Sequence, residues 1–345
     1  MRPARTALLV ALLAASGACP PWRACRSLHA STLAQDSGAP GQAPISVRTN
    51  LVVLPVSVTD RQGHFVTGLH KANFQIFDDG QPQLLAMFED ADLPVTAGLV
   101  VDHSGSMGSK LAEVSAAAAV FAQSSNRQDQ LFVVNFNDRP SLALPRDTAF
   151  TGNEHELQAA IGGASAVGRT ALYDAIAEAL DHLTLNQERR QALVVITDGG
   201  DNASRHTFAQ VLSLAQKSSA QIYCIGVFDH YDPDAKPSVL KKLAQVTGGR
   251  AYFPESVDQI STITRKIAQD LREQYTLAFA PSGQPSSAAA SAAAGGAAQP
   301  GWHNIRVTVS APGKGKLIVR TRAGYYFRSG SNETEPAAAP PLNQP

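Results

Sequence analysis

Four apolar runs constrain the architecture most: "TAGLVVD" (Thr96–Asp102), "DQLFVVNF" (Asp129–Phe136), "ALVVIT" (Ala192–Thr197) and "IYCIGV" (Ile222–Val227). Each is short, rich in β-branched residues and apolar almost throughout, rather than at every second position. Strands of that kind are buried on both faces. Segments of helical pattern fall around and between them, at Lys110–Gln123, Glu154–Ile161, Ala171–Leu183, Thr207–Lys217, Ser238–Thr247 and Ser256–Glu273. The alternation predicts an α/β unit over 95–273, a doubly wound, mostly parallel sheet covered by helices on both faces. "SLAL" (Ser141–Leu144) and Arg250–Phe253 add two short strands.

The flanks follow a different pattern. "ISVRTNLVVLPVSVTD" (Ile45–Asp60) reads as one strand, and "NFQIFDDGQPQLLAMFED" (Asn73–Asp90) as two strands around an Asp-Asp-Gly turn. From Gln274 onward, "QYTLAFAP", "WHNIRVTVS" and "GKLIVRTRAGYYF" are strand-like again. Two or three strands alone are marginal, whereas five or six can share a core. The β-rich parts at 45–94 and 274–328 are therefore expected to form one small β-sandwich, with the α/β unit inserted between them. Within the second part, 282–301 has the composition of a flexible linker, and 329–345 that of a disordered tail.

At the N-terminus, Arg2 and Arg5 precede a short apolar run, Thr6–Ala18, followed by small residues. This predicts a signal peptide or lipoprotein leader over residues 1–30, and hence export to the periplasm, cell envelope or exterior. Cys19 stands where a lipoprotein cysteine would, although Ser16 replaces the usual leucine; membrane attachment is expected only through such an anchor. Cys25 lies beside the leader and Cys224 in a buried strand, so the three cysteines build no disulfide framework. The 29 basic and 29 acidic residues balance, which gives no electrostatic footprint for nucleic acid.

In a doubly wound sheet, ligands bind beyond the carboxyl ends of the strands, where the strand order switches. Three loops there are rich in oxygen. "DHSGSM" carries Asp102, Ser104 and Ser106; "GRTALYDAI" places Thr170 before a helix; "VVITDGGDN" places Asp198 directly after a strand. Two carboxylates and three hydroxyls are hard donors that suit Mg²⁺ above all, with Mn²⁺ or Ca²⁺ as alternatives. No cysteine lies nearby and His103 is a spacer, so zinc is disfavoured. Taken singly, Ser104 and Ser106 would also serve as a loop and helix cap, and Asp198 as turn chemistry.

The ordered set Asp102, Ser104, Ser106, Thr170 and Asp198, with its "GRTALYDA" and "TDGGDN" surroundings, resembles the von Willebrand factor type A (VWFA) domain and its metal-ion-dependent adhesion site (MIDAS). The flanks "NLVVLPVSVTDRQGHFVTGL" and "AGYYF" are similar to exported VWFA-related proteins of Acidobacteria. The resemblance implies Asp102, Ser104 and Ser106 at the metal, with Thr170 and Asp198 direct or through water. With Asp198 acting through water, such an ion meets one direct carboxylate and neutral hydroxyls and stays electrophilic, so adhesion rather than catalysis is expected, with a partner protein's acidic side chain completing the metal shell. The resemblance also suggests that movement of the last α/β helix, which runs into Gln274, couples ligand occupancy to domain orientation.

Two other readings stand beside it. "SGSMG" imitates a nucleophile elbow, which would make Ser106 a hydrolase nucleophile served by Asp198 and His206, or Asp201 and His230. The third reading is a structural envelope domain with no ligand. Asp201 and Asn202 are expected to shape their loop, Asp138 to sit in a surface turn, His206 and His230 to be solvated, and "GKGK" (Gly313–Lys316) to be a β-turn rather than a phosphate loop.

Overall fold

The computed structural model describes residues 51–186, 188, 190–228, 235–281 and 301–326. The leader, Cys19, Cys25, residues 45–50 of the first expected strand, His230, linker residues 282–300 and the tail lie outside them. Among the described residues no helix is long and apolar enough to cross a membrane.

The α/β unit is built on six strands: β5 (Thr96–Asp102), β6 (Gln130–Phe136), β7 (Pro140–Leu142), β8 (Gln191–Thr197), β9 (Gln221–Gly226) and β10 (Ala251–Tyr252). Their order in the sheet is β10-β9-β8-β5-β6-β7, all parallel except the edge strand β7, which returns antiparallel to β6. The chain leaves β5 to one side for β6 and β7, then crosses to the other side for β8. The switch point therefore lies at the end of β5, at Asp102.

Among the described residues six α-helices cover the sheet: α1 (Leu111–Ser124), α2 (Glu154–Gly162), α3 (Leu172–Leu183), α4 (Phe208–Lys217), α5 (Pro237–Thr247) and α6 (Ile260–Arg272). Their ends carry local signals. The Asn153 side chain accepts from His155 N, Thr207 and Gln210 form a capping box, and Pro237 opens α5, which closes on left-handed Gly248. α1 and α6 pack on one face with Leu99, Val101, Val133 and Tyr223. α3, α4 and α5 cover the other with Val100, Phe132, Val195 and Cys224. Two-sided burial is why these strands are apolar throughout. The sequence over Ser256–Glu273 does not begin as α-helix: Val257–Gln259 is a 3-10 turn, and α6 follows.

The flanks contribute two four-stranded antiparallel sheets, ordered β13-β1-β11-β4 and β14-β12-β2-β3. Here β1 is Val52–Thr59, β2 Phe74–Asp78, β3 Gln81–Gln83 and β4 Leu85–Glu89; β11 is Tyr275–Phe279, β12 Trp302–Val309, β13 Ile318–Arg320 and β14 Gly324–Tyr326. N-terminal β1 pairs with C-terminal β11 and β13, and β2 pairs with β12. Leu54, Val56, Ile76, Tyr275, Leu277, Phe279, Ile305 and Val307 close a shared core.

Two expectations are corrected. Asn73–Asp90 holds three strands, not two, because the chain crosses from one sheet to the other at exposed Leu84, between β3 and β4. "GKLIVRTRAGYYF" is likewise two strands in different sheets. The break at Thr321–Ala323 is held by bonds from Thr321 Oγ1 to Pro55 O and from Ala323 N to Val246 O of α5.

A buried polar network joins the sandwich to the α/β unit. Asp270, near the end of α6, accepts from Ser57 Oγ of β1 at 2.6 Å, from Tyr223 Oη of β9 at 2.9 Å and from the Arg320 guanidinium of β13. Gln274 Nε2 donates to Ser57 Oγ and Tyr223 Oη, and its Oε1 accepts from Arg190.

Candidate functional site

Asp102 ends the central strand and is fully buried. Its Oδ1 accepts from Ser104 N at 2.7 Å, which bends the chain into the loop, and its Oδ2 accepts from Thr197 Oγ1 at 2.6 Å. Ser104 Oγ lies 3.2 Å from Ser106 Oγ, and Ser106 Oγ donates to Asp198 Oδ1 at 2.9 Å. Four of the five sequence-derived residues thus form one continuous cluster across β5, β8 and the loop after β5.

Thr170 is brought alongside by backbone. Its N–H donates to Asn202 Oδ1 at 2.9 Å, and its carbonyl accepts from Asn202 N and Ala203 N. A Cβ placed on Gly199 would sit 3.7 Å from Thr170 Oγ1, so the hydroxyl borders the loop that carries Asp198. The same loop is pinned to α3 by Asp201, which accepts from Tyr173 N at 3.2 Å. Gly105 N donates to Gly168 O at 3.2 Å and joins the first loop to the second.

The rim is charged. Asp138 is half exposed and accepts from Arg169 Nε at 3.1 Å. Gly168 there has φ +83, which strains any other residue, and a Cβ on it would lie 2.3 Å from Asp138 Oδ2 and displace that carboxylate. His206 Nδ1 lies 2.7 Å from Asp174 Oδ1. Ser106 Oγ donates to Asp198, and no hydrogen bond joins Ser106 to a histidine among the described residues. A groove of roughly 1080 Å³ runs along the rim past Asp138, Arg169, Asp174 and His206.

Sequence reasoning missed Lys110. Its ammonium, 8% exposed with its residue, donates to Asp198 Oδ2 at 2.7 Å and to Val227 O at 3.3 Å. Only the register of the loop against β8 brings it there. Thr197, which holds Asp102, was also passed over as strand. The two carboxylates consequently differ: Asp198 is neutralised by Lys110, whereas Asp102 has hydrogen bonds but no ammonium or guanidinium pairing with it among the described residues. Burial pushes the Asp102 carboxyl up to about 6, against the bonds from Thr197 and Ser104 that favour its charged form.

Hard oxygens, an uncompensated buried carboxylate and an exposed Ser106 at the switch point fit a small divalent cation. Lys110 occupies one oxygen of Asp198 and Ser106 the other, which favours contact of Asp198 with such an ion through water. Lys110→Met is expected to destabilise the metal-free protein, by about 3 kcal/mol, because Asp198 loses its counter-charge. It is also expected to enlarge the melting-temperature rise produced by Mg²⁺; thermal melts with and without Mg²⁺ read both effects.

A doubly wound, mostly parallel sheet with oxygen-rich loops at its switch point defines the class of α/β domain to which this unit belongs. The von Willebrand factor type A domain model matches residues 98–266, and that stretch of the chain is a VWA domain. An uncharacterized protein of Synechocystis is 25% identical over 183 residues, covering 52% of this chain; the match spans 42% of that relative's own length. Among solved structures, a von Willebrand factor type A protein from Catenulispora acidiphila is 18% identical with a TM-score of 0.46, covering 58% of this chain and 46% of its own. The VWF domain of a type V pilus tip protein of Porphyromonas gingivalis is 13% identical with a TM-score of 0.43, covering 52% of this chain and 95% of its own.

Proposed function

We propose that this chain is an exported, metal-dependent protein-binding module that grips an acidic side chain of a partner through a divalent cation, Mg²⁺ in the first place. Asp102, Ser104 and Ser106 hold the ion, with Thr170 and Asp198 at its margin. The observation that carries the reading is the charge balance of the cluster. Asp198 and Lys110 cancel, so Asp102 alone faces the cation, and a divalent ion there retains one positive charge. Neutral hydroxyls do not quench it. A single carboxylate from a partner completes both the shell and the charge, and the charged groove beside the rim offers surface for the rest of that partner.

The test is capture. The full chain, immobilised, is expected to retain a binding protein from envelope extract in Mg²⁺ and to release it on chelation, while a serine-reactive probe leaves Ser106 unlabelled with or without Mg²⁺. Retention that ignores the chelator, or labelling of Ser106, would overturn the reading.

A further inference from the structure

The sandwich carries a second cluster of ligating groups, drawn from the β2–β3 hairpin and β12. At the β2–β3 hairpin, Asp79 has φ 46 and Gly80 φ 82, the left-handed pair of a tight turn. That turn aims two adjacent carboxylates at β12. His303 Nδ1 lies 3.4 Å from Asp78 Oδ1 and 3.1 Å from Asp79 Oδ2, and these three atoms lie within 4.8 Å of one another. Asp78 and His303 are each 7% exposed.

The two carboxylates divide their oxygens in the same way. The outer ones are satisfied: Asp78 Oδ2 accepts from Tyr325 Oη at 2.9 Å, and Asp79 Oδ1 accepts from Asn304 N at 2.9 Å and Asn304 Nδ2 at 3.3 Å. The inner ones, Asp78 Oδ1 and Asp79 Oδ2, are buried and accept no hydrogen bond of good geometry. Among the described residues no lysine or arginine pairs with either acid. One imidazole, even protonated, leaves this cluster with a net negative charge away from water, a costly state unless a cation completes it.

The spacing matches a ligand shell. Four ligands around an ion at 2.0–2.1 Å stand about 3.3 Å apart, and the two contacts of His303 Nδ1 bracket that value. Bonds from Tyr325 and Asn304 to the outer oxygens, and the stacking of the Tyr325 ring on His303 at 5.1 Å, are the supports that orient metal ligands. We propose that Asp78, Asp79 and His303 form a second cation site, on the sandwich, selective for a borderline ion of the zinc class, with a water or a partner's donor in its fourth position. The imidazole separates it chemically from the all-oxygen site of the α/β unit.

Zinc titrated calorimetrically into the full chain carrying Asp102→Ala, which silences the first site, is expected to bind one equivalent and raise the melting temperature, while Mg²⁺ does neither. Asp79→Asn keeps the turn and its acceptor to Asn304, yet should remove that binding. Tyr325→Phe, which touches no ion, should weaken it by about 10- to 100-fold. Absence of stoichiometric zinc binding in a folded Asp102→Ala chain would overturn the site, as would zinc affinity unchanged in Asp79→Asn and Tyr325→Phe.

Discussion

Asp102→Ala is expected to abolish Mg²⁺-dependent capture while leaving the metal-free protein as stable as the parent, or more so. The carboxylate costs the empty fold free energy. Its folded value of about 6 lies above the ordinary 3.8. The native state therefore holds the proton more tightly than the unfolded chain between those values, and metal-free stability falls as pH rises through that window. Above it the cost is complete, roughly 3 kcal/mol at neutral pH. Alanine removes the cost but forfeits the bonds from Ser104 N and Thr197 Oγ1, worth about 1 kcal/mol each. The two nearly cancel, so the variant should melt close to the parent without Mg²⁺ and well below it with Mg²⁺. A variant that still binds its partner in a chelator-sensitive way would refute the assignment of Asp102; a collapse of the metal-free fold would refute the energetic argument.

Asp270→Ala is expected to be the most damaging single change away from the proposed cation site. It strips the Arg320 guanidinium of its acid and leaves Ser57 and Tyr223 without their shared acceptor. Breaking a buried pair on one side costs about 3–5 kcal/mol, a fall of about 10 °C in melting temperature for a chain of this size. The matched pair Asp270→Leu with Arg320→Met removes both charges and should recover most of the loss. Hydrogen exchange gives a second readout: in Asp270→Ala, β1 and β13 should lose protection before the central strands β5 and β8. Equal loss across all four would mean that Asp270 stabilises the whole unit rather than its junction with the sandwich. This junction also bears on coupling between the two parts, because Asp270 stands on α6, the helix that leads into β11 through Gln274.

Much of this was open to inspection in the chain itself. Continuous apolar runs such as "LVV" and "ALVVIT" announce strands buried on both faces, and Asp102 and Asp198 stand directly at their ends, so the doubly wound sheet and the order of oxygen donors follow from local pattern. The β segments on both sides were legible as strands, and their shortage on either side pointed to a shared sandwich. The sheet changes were not legible. Gln83–Leu85 and Thr321–Ala323 have the composition of continuing strand, and only the need to cover both faces of one core sends the chain across at those points.

The sequence by itself determined which residues end up at the switch point, because side-chain period and strand length fix what a parallel sheet presents at its edge. What the tertiary structure alone decided is how the charges there and elsewhere are balanced. Lys110 meets Asp198 across 88 residues, Arg320 meets Asp270 across 50, and His303 meets the Asp78–Asp79 turn from the far end of the chain. Each pairing depends on packing between elements with no local signature for one another. Electrostatic compensation is a property of distance in space, and these distances exist only once the sheets and helices have closed on their cores.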